Sequence, residues 1–307
     1  MPSRRYYEIG SENNMEEGFA KFHPAVIALW YAAVIGITAF CINPVLLAVS
    51  AVFSVLFAVT VNGVRAIKSA VSVFFPIVLF TAAVNVAFNH AGTRIFLYVN
   101  ENPWTLESLI YGTVSGVMIF SVIMWFSSFN TIMTSDKLLC ISGKAFPSLS
   151  LVFSMALRFV PRFRQNLRKI TDAQKGIGLT AKNSLLGKMK YYFSLFTVML
   201  GISLENSIET ADSMRARGHG IGKRTYYTKY EFKNADRVLL LLMSVVFLSV
   251  AVPAFSGQLH TVYFPYFSNA PVNSAAICAY ASFGFAVSVP MFINIYSSIR
   301  MNNVYGV

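Results

Sequence analysis

Hydrophobic residues occur along the chain in six long runs that are separated by short polar breaks. A helix that crosses a bilayer needs about 20 mostly apolar residues. Runs of about this length cover residues 25–42, 44–61, 70–88, 109–129, 238–255 and 275–296. The break at Asn43-Pro44 is tight, because proline cannot continue a preceding helix. The pattern predicts an all-α integral membrane protein with about six transmembrane helices.

A stretch of about 105 residues between the fourth and fifth runs has a different pattern. Residues 148–160 are apolar but too short to span a membrane, and residues 191–204 are apolar before the chain becomes charged. We predict two long amphipathic helices, at about residues 149–175 and 184–217, that lie along the cytoplasmic interface. Pro161 is predicted to kink the first of them. An alternative makes residues 191–204 one half of a re-entrant seventh segment.

The composition supports a membrane location. The 307 residues are 55% hydrophobic and only 12% charged, whereas soluble domains are typically about 25% charged. These values exclude a soluble globular domain and a disordered chain. We therefore expect the lipid bilayer to surround most of the chain.

Positive charge is concentrated in the stretch between the fourth and fifth runs. Of the 25 lysines and arginines, 18 lie between Asp136 and Arg237, together with 7 of the 13 acidic residues. Such a block could face nucleic acid, anionic lipid or an acidic protein surface. In a membrane protein, positively charged loops stay in the cytoplasm. We therefore expect this block to be cytoplasmic and do not expect a nucleic-acid partner.

The charge pattern also predicts the orientation and the domain organisation. Arg65 and Lys68 follow the second run, and Arg300 follows the sixth, so both termini are expected in the cytoplasm. The predicted organisation is a cytoplasmic N-terminal tail (residues 1–24), four transmembrane helices (25–129), a cytoplasmic or interfacial segment (130–235), and two transmembrane helices with the C-terminus (236–307).

Catalytic and metal-binding patterns are not found in the sequence. The four histidines have no partners at metal-ligand spacing, and no predicted span has Asp or Glu near its middle. The segment from Gly218 to Arg224 is one residue short of a phosphate-binding loop and has Arg224 where Ser or Thr is required. We expect a non-catalytic protein without a metal or another cofactor.

The C-terminal end of the second amphipathic helix carries the strongest candidate for a binding site. Three carboxylates share one helix face, at Glu205, Glu209 and Asp212. Arg215 can pair with Asp212, whereas Arg217 projects roughly opposite, and Gly218 is expected to end the helix with a positive φ. A planar, permanently charged group at a helix end suits a carboxylate-lined groove on a partner protein. The alternative is that the arginines only stabilise the helix C-terminus.

Several motifs of this stretch resemble the transmembrane T component of energy-coupling factor (ECF) transporters, the EcfT/CbiQ family. The resemblance covers residues 148–225 at the level of motifs and the rest of the chain by its hydropathy layout. The motifs are Arg158-Phe159-Val160-Pro161, Ala173-Gln174, Met214-Arg215-Ala216-Arg217-Gly218 and Gly222-Lys223-Arg224-Thr225.

The resemblance implies a function in coupling ATP hydrolysis to transport. T components carry an Ala-Arg-Gly-type triplet at the end of each of two coupling helices, and each arginine docks on one of two ABC ATPase subunits. The helices also hold a small substrate-binding membrane protein, the S component. The residues expected at the ATPase contacts are Arg217, Ala216, Gly218, Arg215, Lys175, Gly176 and Gly178. ATP hydrolysis is expected in the partner chains, and the cargo is expected to be a vitamin or a metal ion. The resemblance also implies that residues 130–235 form a coupling segment and that the protein lies in the plasma membrane of a prokaryotic cell.

The two triplets differ. Ala216-Arg217-Gly218 matches fully, but the first triplet falls at Gly176-Ile177-Gly178, where Ile177 replaces the expected arginine. Lys175 could supply a weaker, single-point contact, or apolar packing could hold that end. The difference could also reflect two different ATPases.

The apolar parts of the two helices are candidates for the S-component contact. Met and Phe side chains adapt to different partners. The candidates are Phe153, Met155, Leu157, Phe193, Phe196, Met199 and Leu204. These side chains could instead contact lipid or pack within the protein. Two other functions remain open, namely a conventional ABC permease subunit and a membrane scaffold that binds anionic lipid through its basic segment.

Overall fold

The computed structural model consists almost entirely of helices. It describes residues 18–99, 102–135, 137–138, 140–141, 147–179, 184–221, 231–268 and 273–305. The α-helices in these ranges are α1 (Pro24–Phe40), α2 (Pro44–Asn62), α3 (Arg65–Phe88), α4 (Leu106–Ile132), α5 (Pro147–Gly176), α6 (Leu185–Ala216), α7 (Asn234–Phe255) and α8 (Ser274–Tyr305). A 3₁₀ helix at Phe19–Lys21 precedes α1, and strands β1 (Ile95–Val99) and β2 (Asn102–Thr105) pair antiparallel between α3 and α4.

Five of these helices are long and apolar enough to cross a membrane, namely α2, α3, α4, α7 and α8. Helix α1 is apolar as well but has only 17 residues. The prediction of an all-α membrane protein is therefore confirmed, with five helices of spanning length where about six were predicted. The predicted boundaries were too short at some ends: Arg65 and Lys68 lie in the first turns of α3 rather than in a loop, and α8 continues beyond residue 296. Long charged side chains at the ends of an apolar helix place their charged groups in the polar interface while their stems lie along the apolar part.

The chain forms two compact units. One comprises residues Met1–Leu138 and Tyr230–Val307, and the other comprises Leu139–Lys229. The first unit contains the six apolar helices, and the second contains α5 and α6.

An aromatic cluster forms the centre of the first unit. Trp30 of α1, Phe57 of α2 and Trp125 of α4 are almost fully buried, and Phe19 of the 3₁₀ helix packs edge-on against Trp30. The ring centroids of Trp30 and Trp125 are 5.4 Å apart, and those of Phe57 and Trp125 are 5.9 Å apart. Aromatic pairs favour such tilted and edge-to-face geometries. The cluster therefore joins α1, α2 and α4.

The polar groups near this cluster bond to one another. Trp125 Nε1 donates to Ser50 Oγ over 3.0 Å, and Ser50 Oγ lies 3.0 Å from Thr38 Oγ1. Thr38 Oγ1 donates in turn to the Val34 carbonyl. A polar group without a partner costs several kcal/mol in a membrane core that lacks water. These bonds therefore favour one arrangement of α1, α2 and α4.

Helices α3 and α4 approach closely at two small residues. Gly112 and Gly116 lie one turn apart on α4, and both are buried. A Cβ atom added at Gly112 would lie 2.8 Å from the Ala82 Cα, and one at Gly116 would lie 2.8 Å from the Val78 Cα. Small residues at this spacing let helix backbones pack closely in membranes.

At one end of the first unit, the N-terminal segment connects several helices. Lys137 Nζ, just after α4, donates to the Ala20 carbonyl over 2.8 Å. The His23 amide donates to Asp236 Oδ1 at the start of α7 over 2.8 Å, and the Phe19 amide donates to Asn294 Oδ1 of α8 over 2.7 Å. These contacts fix the two positions at which the chain leaves the first unit for the second and returns from it.

At the opposite end, Asn43 holds the break between α1 and α2. Its Oδ1 accepts from the Val45 amide at the start of α2, and its Nδ2 donates to the Leu259 carbonyl and to the Tyr280 hydroxyl. Tyr263 donates to the Ile42 carbonyl, and burial together with the nearby Tyr111 raises the pKa of Tyr263 to about 12. The Tyr263 hydroxyl therefore keeps its proton, and the loop after α7 is attached to the α1–α2 break.

The close approach of α3 and α4 leads to a stability prediction. We expect the double variant Gly112→Ala/Gly116→Ala to lose about 1–3 kcal/mol of stability, because the added methyl groups meet the α3 backbone. Thermal unfolding of the purified protein in detergent measures this loss. Gly36→Ala in α1 is the matched control: its Cβ would meet no atom within 4 Å, and alanine favours a helix. Equal melting temperatures for the double variant and the wild type would contradict the packing argument.

Candidate functional site

The second unit is a pair of long helices with little buried surface. Helix α5 has 30 residues and α6 has 32, and the two pack against each other. Leu195, at 3% exposure, is the one buried residue of α6. Helix α6 continues through both ends of residues 191–204, so the chain does not turn within this apolar segment. Helix α5 likewise runs on through Pro161, so a kink there stays a prediction.

Helix α6 ends in a tight cap that exposes Arg217. Gly218 has φ +79°, which is favourable only for glycine and a few polar residues. The Gly218 amide donates to the Arg215 carbonyl over 2.9 Å, and the His219 amide donates to the Met214 carbonyl over 3.0 Å. This pair of bonds is a Schellman motif. Arg217 is the last residue before the reversal of the backbone, and its side chain is exposed.

Helix α5 ends in the same geometry. Gly178 has φ +77°, its amide donates to the Lys175 carbonyl over 3.0 Å, and the Leu179 amide donates to the Gln174 carbonyl over 2.9 Å. Ile177 occupies the position that Arg217 has in α6, and its side chain is 74% exposed. The two triplets are thus equivalent in backbone structure and differ in the side chain that they present.

The cap by itself is a general way to end a helix. Helix α7 ends similarly at Gly257, whose amide donates to the Ala254 carbonyl while the Gln258 amide donates to the Pro253 carbonyl. Ser256, which precedes Gly257, is exposed as well, so the ends of α5 and α6 differ from the end of α7 in the chemistry of the side chain before the glycine. Ile177 offers an apolar surface there, whereas Arg217 offers a guanidinium with five N–H donors.

A groove between α5 and α6 lies beside Arg217. It has a volume of about 370 Å³. Its lining consists of three arginines, one carboxylate, two hydroxyl residues and three apolar residues, namely Arg158, Arg162, Arg217, Glu209, Thr210, Ser213, Met155, Phe159 and Met214. The sequence already showed Arg158 and Arg162 one helical turn apart. It did not show that they share a groove with Arg217, because that depends on how α5 packs against α6.

The two capped ends lie far apart on the helix pair. Arg162 lines the groove beside Arg217, and Ile177 lies 15 residues further along the same helix, which corresponds to roughly 22 Å at 1.5 Å per residue. One small binding site therefore cannot contact both ends.

The candidate S-component residues fall into two groups. The side chains of Phe153, Leu157, Phe193, Phe196 and Leu204 are exposed. Met155 and Met199 are only partly exposed, and Met155 lines the groove. Each of the two helices buries only the strip of its surface that faces the other helix. Most apolar side chains of α5 and α6 therefore remain exposed.

Other sequence-based expectations concern residues that are described only in part. The motif Gly222-Lys223-Arg224-Thr225 and most of the N-terminal tail (1–24) lie outside the described residues. Within the described ranges, no three His, Cys, Asp or Glu side chains are grouped so that they could hold a metal ion.

The architecture described above is that of a polytopic helical membrane protein. Comparison with protein families extends this classification: the model of the CbiQ family, described as cobalt transport protein, matches residues 20–227. The match covers more than half of the chain. The chain therefore belongs to the EcfT/CbiQ family of transporter membrane subunits, as the resemblance indicated.

Individual relatives agree with this assignment. The chain is 26% identical over 183 residues to energy-coupling factor transporter transmembrane protein EcfT 1 of Listeria monocytogenes, covering 54% of this chain and 67% of the relative. It is 28% identical over 111 residues to EcfT of Staphylococcus aureus, covering 36% and 41%. An uncharacterized protein of Mycoplasma pneumoniae, the MG181 homolog, is 33% identical over 110 residues, covering 35% of this chain. The matched region spans only 25% of that Mycoplasma protein.

The cap of α6 can be tested directly. We expect Gly218→Ala to destabilise the last turn of α6 by about 1 kcal/mol, because a Cβ is strained at φ +79°. Hydrogen exchange of peptides from residues 205–217, followed by mass spectrometry, would then be faster. Gly176→Ala is the matched control, since Gly176 lies inside a helix and its Cβ would meet no atom within 4 Å. Unchanged exchange in Gly218→Ala would show that the cap does not hold the helix end.

Proposed function

We propose that the chain is the energy-coupling transmembrane subunit of an ECF-type importer. It joins two ABC ATPase subunits to a small membrane S component that binds a vitamin or a metal ion. The observation that carries the proposal is the pair of long helices in a chain of the EcfT/CbiQ family, each with a Schellman cap and an exposed side chain before the cap glycine. ATP hydrolysis belongs to the partner subunits.

The coupling contacts are assigned to the two capped ends. Arg217, with Ala216, Gly218 and Arg215 beside it, docks on an acidic groove of one ATPase through charge-assisted hydrogen bonds. Ile177, with Lys175, Gly176 and Gly178 beside it, docks on the second ATPase by apolar packing. The exposed Ile177 side chain supports packing over a lysine contact, because it occupies the position equivalent to Arg217. Since the ends present different chemistry, the two ATPase surfaces are expected to differ.

Movement of the ATPases then reaches the S component through α5 and α6. ATP binding draws the two ATPases together, and the attached helix ends move with them. The exposed apolar side chains of both helices, which include Phe153, Phe193 and Phe196, hold the S component. The helices thus have one arrangement before ATP binding and another after it. An S component that binds these two arrangements with different affinities changes its orientation and releases its cargo.

The proposed orientation places the basic coupling segment (130–235) and both termini in the cytoplasm of a bacterial cell. Arg65 lies at the start of α3, just after Asn62, which accepts a hydrogen bond from Thr131 near the end of α4. Arg300 lies near the end of α8, beyond Asn294, which binds the N-terminal segment. These cations therefore lie at the end of the first unit to which the second unit is connected, in agreement with the positive-inside rule.

The contact of Arg217 can be tested by reversing its charge. Arg217→Glu is expected to reduce the amount of ABC ATPase recovered with the tagged protein in mild detergent by about tenfold or more, since it replaces attraction by repulsion. Quantitative mass spectrometry of the eluate measures this amount. The small membrane protein in the wild-type eluate is the S component of the proposal, and its identity indicates which cargo to use in an uptake assay. Arg168→Glu provides the control for the change in net charge. Normal ATPase recovery and uptake with Arg217→Glu would contradict the proposal.

The contact proposed at the end of α5, at Ile177 and Lys175, can be tested separately. If apolar packing holds the end of α5, Ile177→Ser weakens the binding of one ATPase by about tenfold or more, because burial of one such side chain contributes about 1.5–3 kcal/mol and each step of about 1.4 kcal/mol corresponds to a factor of ten. Lys175→Ala then has little effect. The reverse result, with loss in Lys175→Ala and none in Ile177→Ser, would assign the contact to the lysine.

A further inference from the structure

Two pairs of arginines on α5 have different surroundings. All four side chains are exposed, but Arg158 and Arg162 line the groove that also contains Arg217, whereas Arg164 and Arg168 do not. Both pairs have the same spacing of one helical turn. Helical spacing places the two pairs on different sides of α5, and the packing of α5 against α6 decides which pair lines the groove.

The charges of the groove are unbalanced. Three guanidinium groups, from Arg158, Arg162 and Arg217, face one carboxylate, from Glu209. Two positive charges remain without a compensating group in the lining. Guanidinium groups bind carboxylates through two parallel hydrogen bonds, so two carboxylates of a ligand would complete the groove.

The groove also has an apolar part, formed by Met155, Phe159 and Met214. Its volume of about 370 Å³ lies near the lower end of the range of about 300–1,000 Å³ for pockets that bind small ligands. This space suits a few side chains rather than the acyl chains of a phospholipid.

We infer that Arg158 and Arg162 complete the docking site to which Arg217 belongs. Its occupant is a short segment of a partner protein that carries two carboxylates next to an apolar side chain. The inference rests on the proposed function, which makes that partner an ABC ATPase subunit. It adds that the contact at the α6 end is formed by both coupling helices, so that any sliding of α5 against α6 changes the affinity for the ATPase.

The test compares two variants with the same change in charge. Arg158→Gln/Arg162→Gln removes two cations from the groove, and Arg164→Gln/Arg168→Gln removes two from the same helix outside it. Each tagged protein is purified in mild detergent from cells that express its partners. The retained ATPase subunits are identified and quantified by mass spectrometry at about 0.1 to 0.5 M KCl, a range over which salt increasingly screens exposed charges. Binding to vesicles of phosphatidylglycerol and of phosphatidylcholine is measured in parallel.

We expect the groove variant to lose at least about fivefold more ATPase than the control variant at the same salt concentration, because only the groove arginines reach the partner. Arg158→Lys/Arg162→Lys, which keeps the charge but not the planar fork, should restore part of the loss. Both glutamine variants should bind phosphatidylglycerol vesicles equally.

Two results would overturn the inference. Equal loss of ATPase in both glutamine variants would show that only the net charge of α5 matters. Wild-type retention in the groove variant, with a selective loss of binding to phosphatidylglycerol vesicles, would assign the groove to lipid. Failure of the proposed function gives a different result, since the wild-type protein would then retain no ATPase at all.

Discussion

The absence of water from the bilayer core is the constraint on which the first unit depends. Every polar group that the chain carries into the membrane must bond within the protein. Helices satisfy the backbone, and the bonds between Trp125, Ser50 and Thr38 satisfy side chains at the aromatic core. The remaining polar contacts gather at the two ends of the helices, around Asn43 at one end and Lys137 at the other. Polar bonds thus fix the positions of helices whose apolar surfaces would pack in many ways.

The second unit, in contrast, has almost no buried core among its described residues. Two helices cannot enclose a core, so α6 buries Leu195 and leaves most of its apolar side chains exposed. Large exposed apolar surfaces usually mark contacts with other proteins or with a membrane. Its ends are nevertheless well defined, because Gly178 and Gly218 close the last turns with specific hydrogen bonds. The proposed coupling function rests on this combination of well-defined ends and incompletely buried helices.

Local signals were sufficient to predict most elements of the fold. The lengths of the apolar runs predicted the spans, and Pro44 predicted the start of α2. Gly218, the last residue of the triplet Ala216-Arg217-Gly218, predicted the end of α6. Boundaries were less predictable where charged residues continue a helix beyond its apolar part, as Arg65 does at the start of α3. The β-hairpin at Ile95–Val99 and Asn102–Thr105 was not predicted, since its two strands contain only nine residues of mixed polarity.

The sequence alone determined which residues lie in apolar helices, where the positive charge is concentrated and that Ile177 replaces an arginine, because these properties depend on neighbours along the chain. It also predicted the family. Only the tertiary structure decided that Ile177 and Arg217 occupy equivalent backbone positions, and that Arg158 and Arg162, but not Arg164 and Arg168, share a groove with Arg217. The reason is that contacts between α5 and α6 depend on the rotation of each helix about its axis, which helical spacing within one helix does not specify.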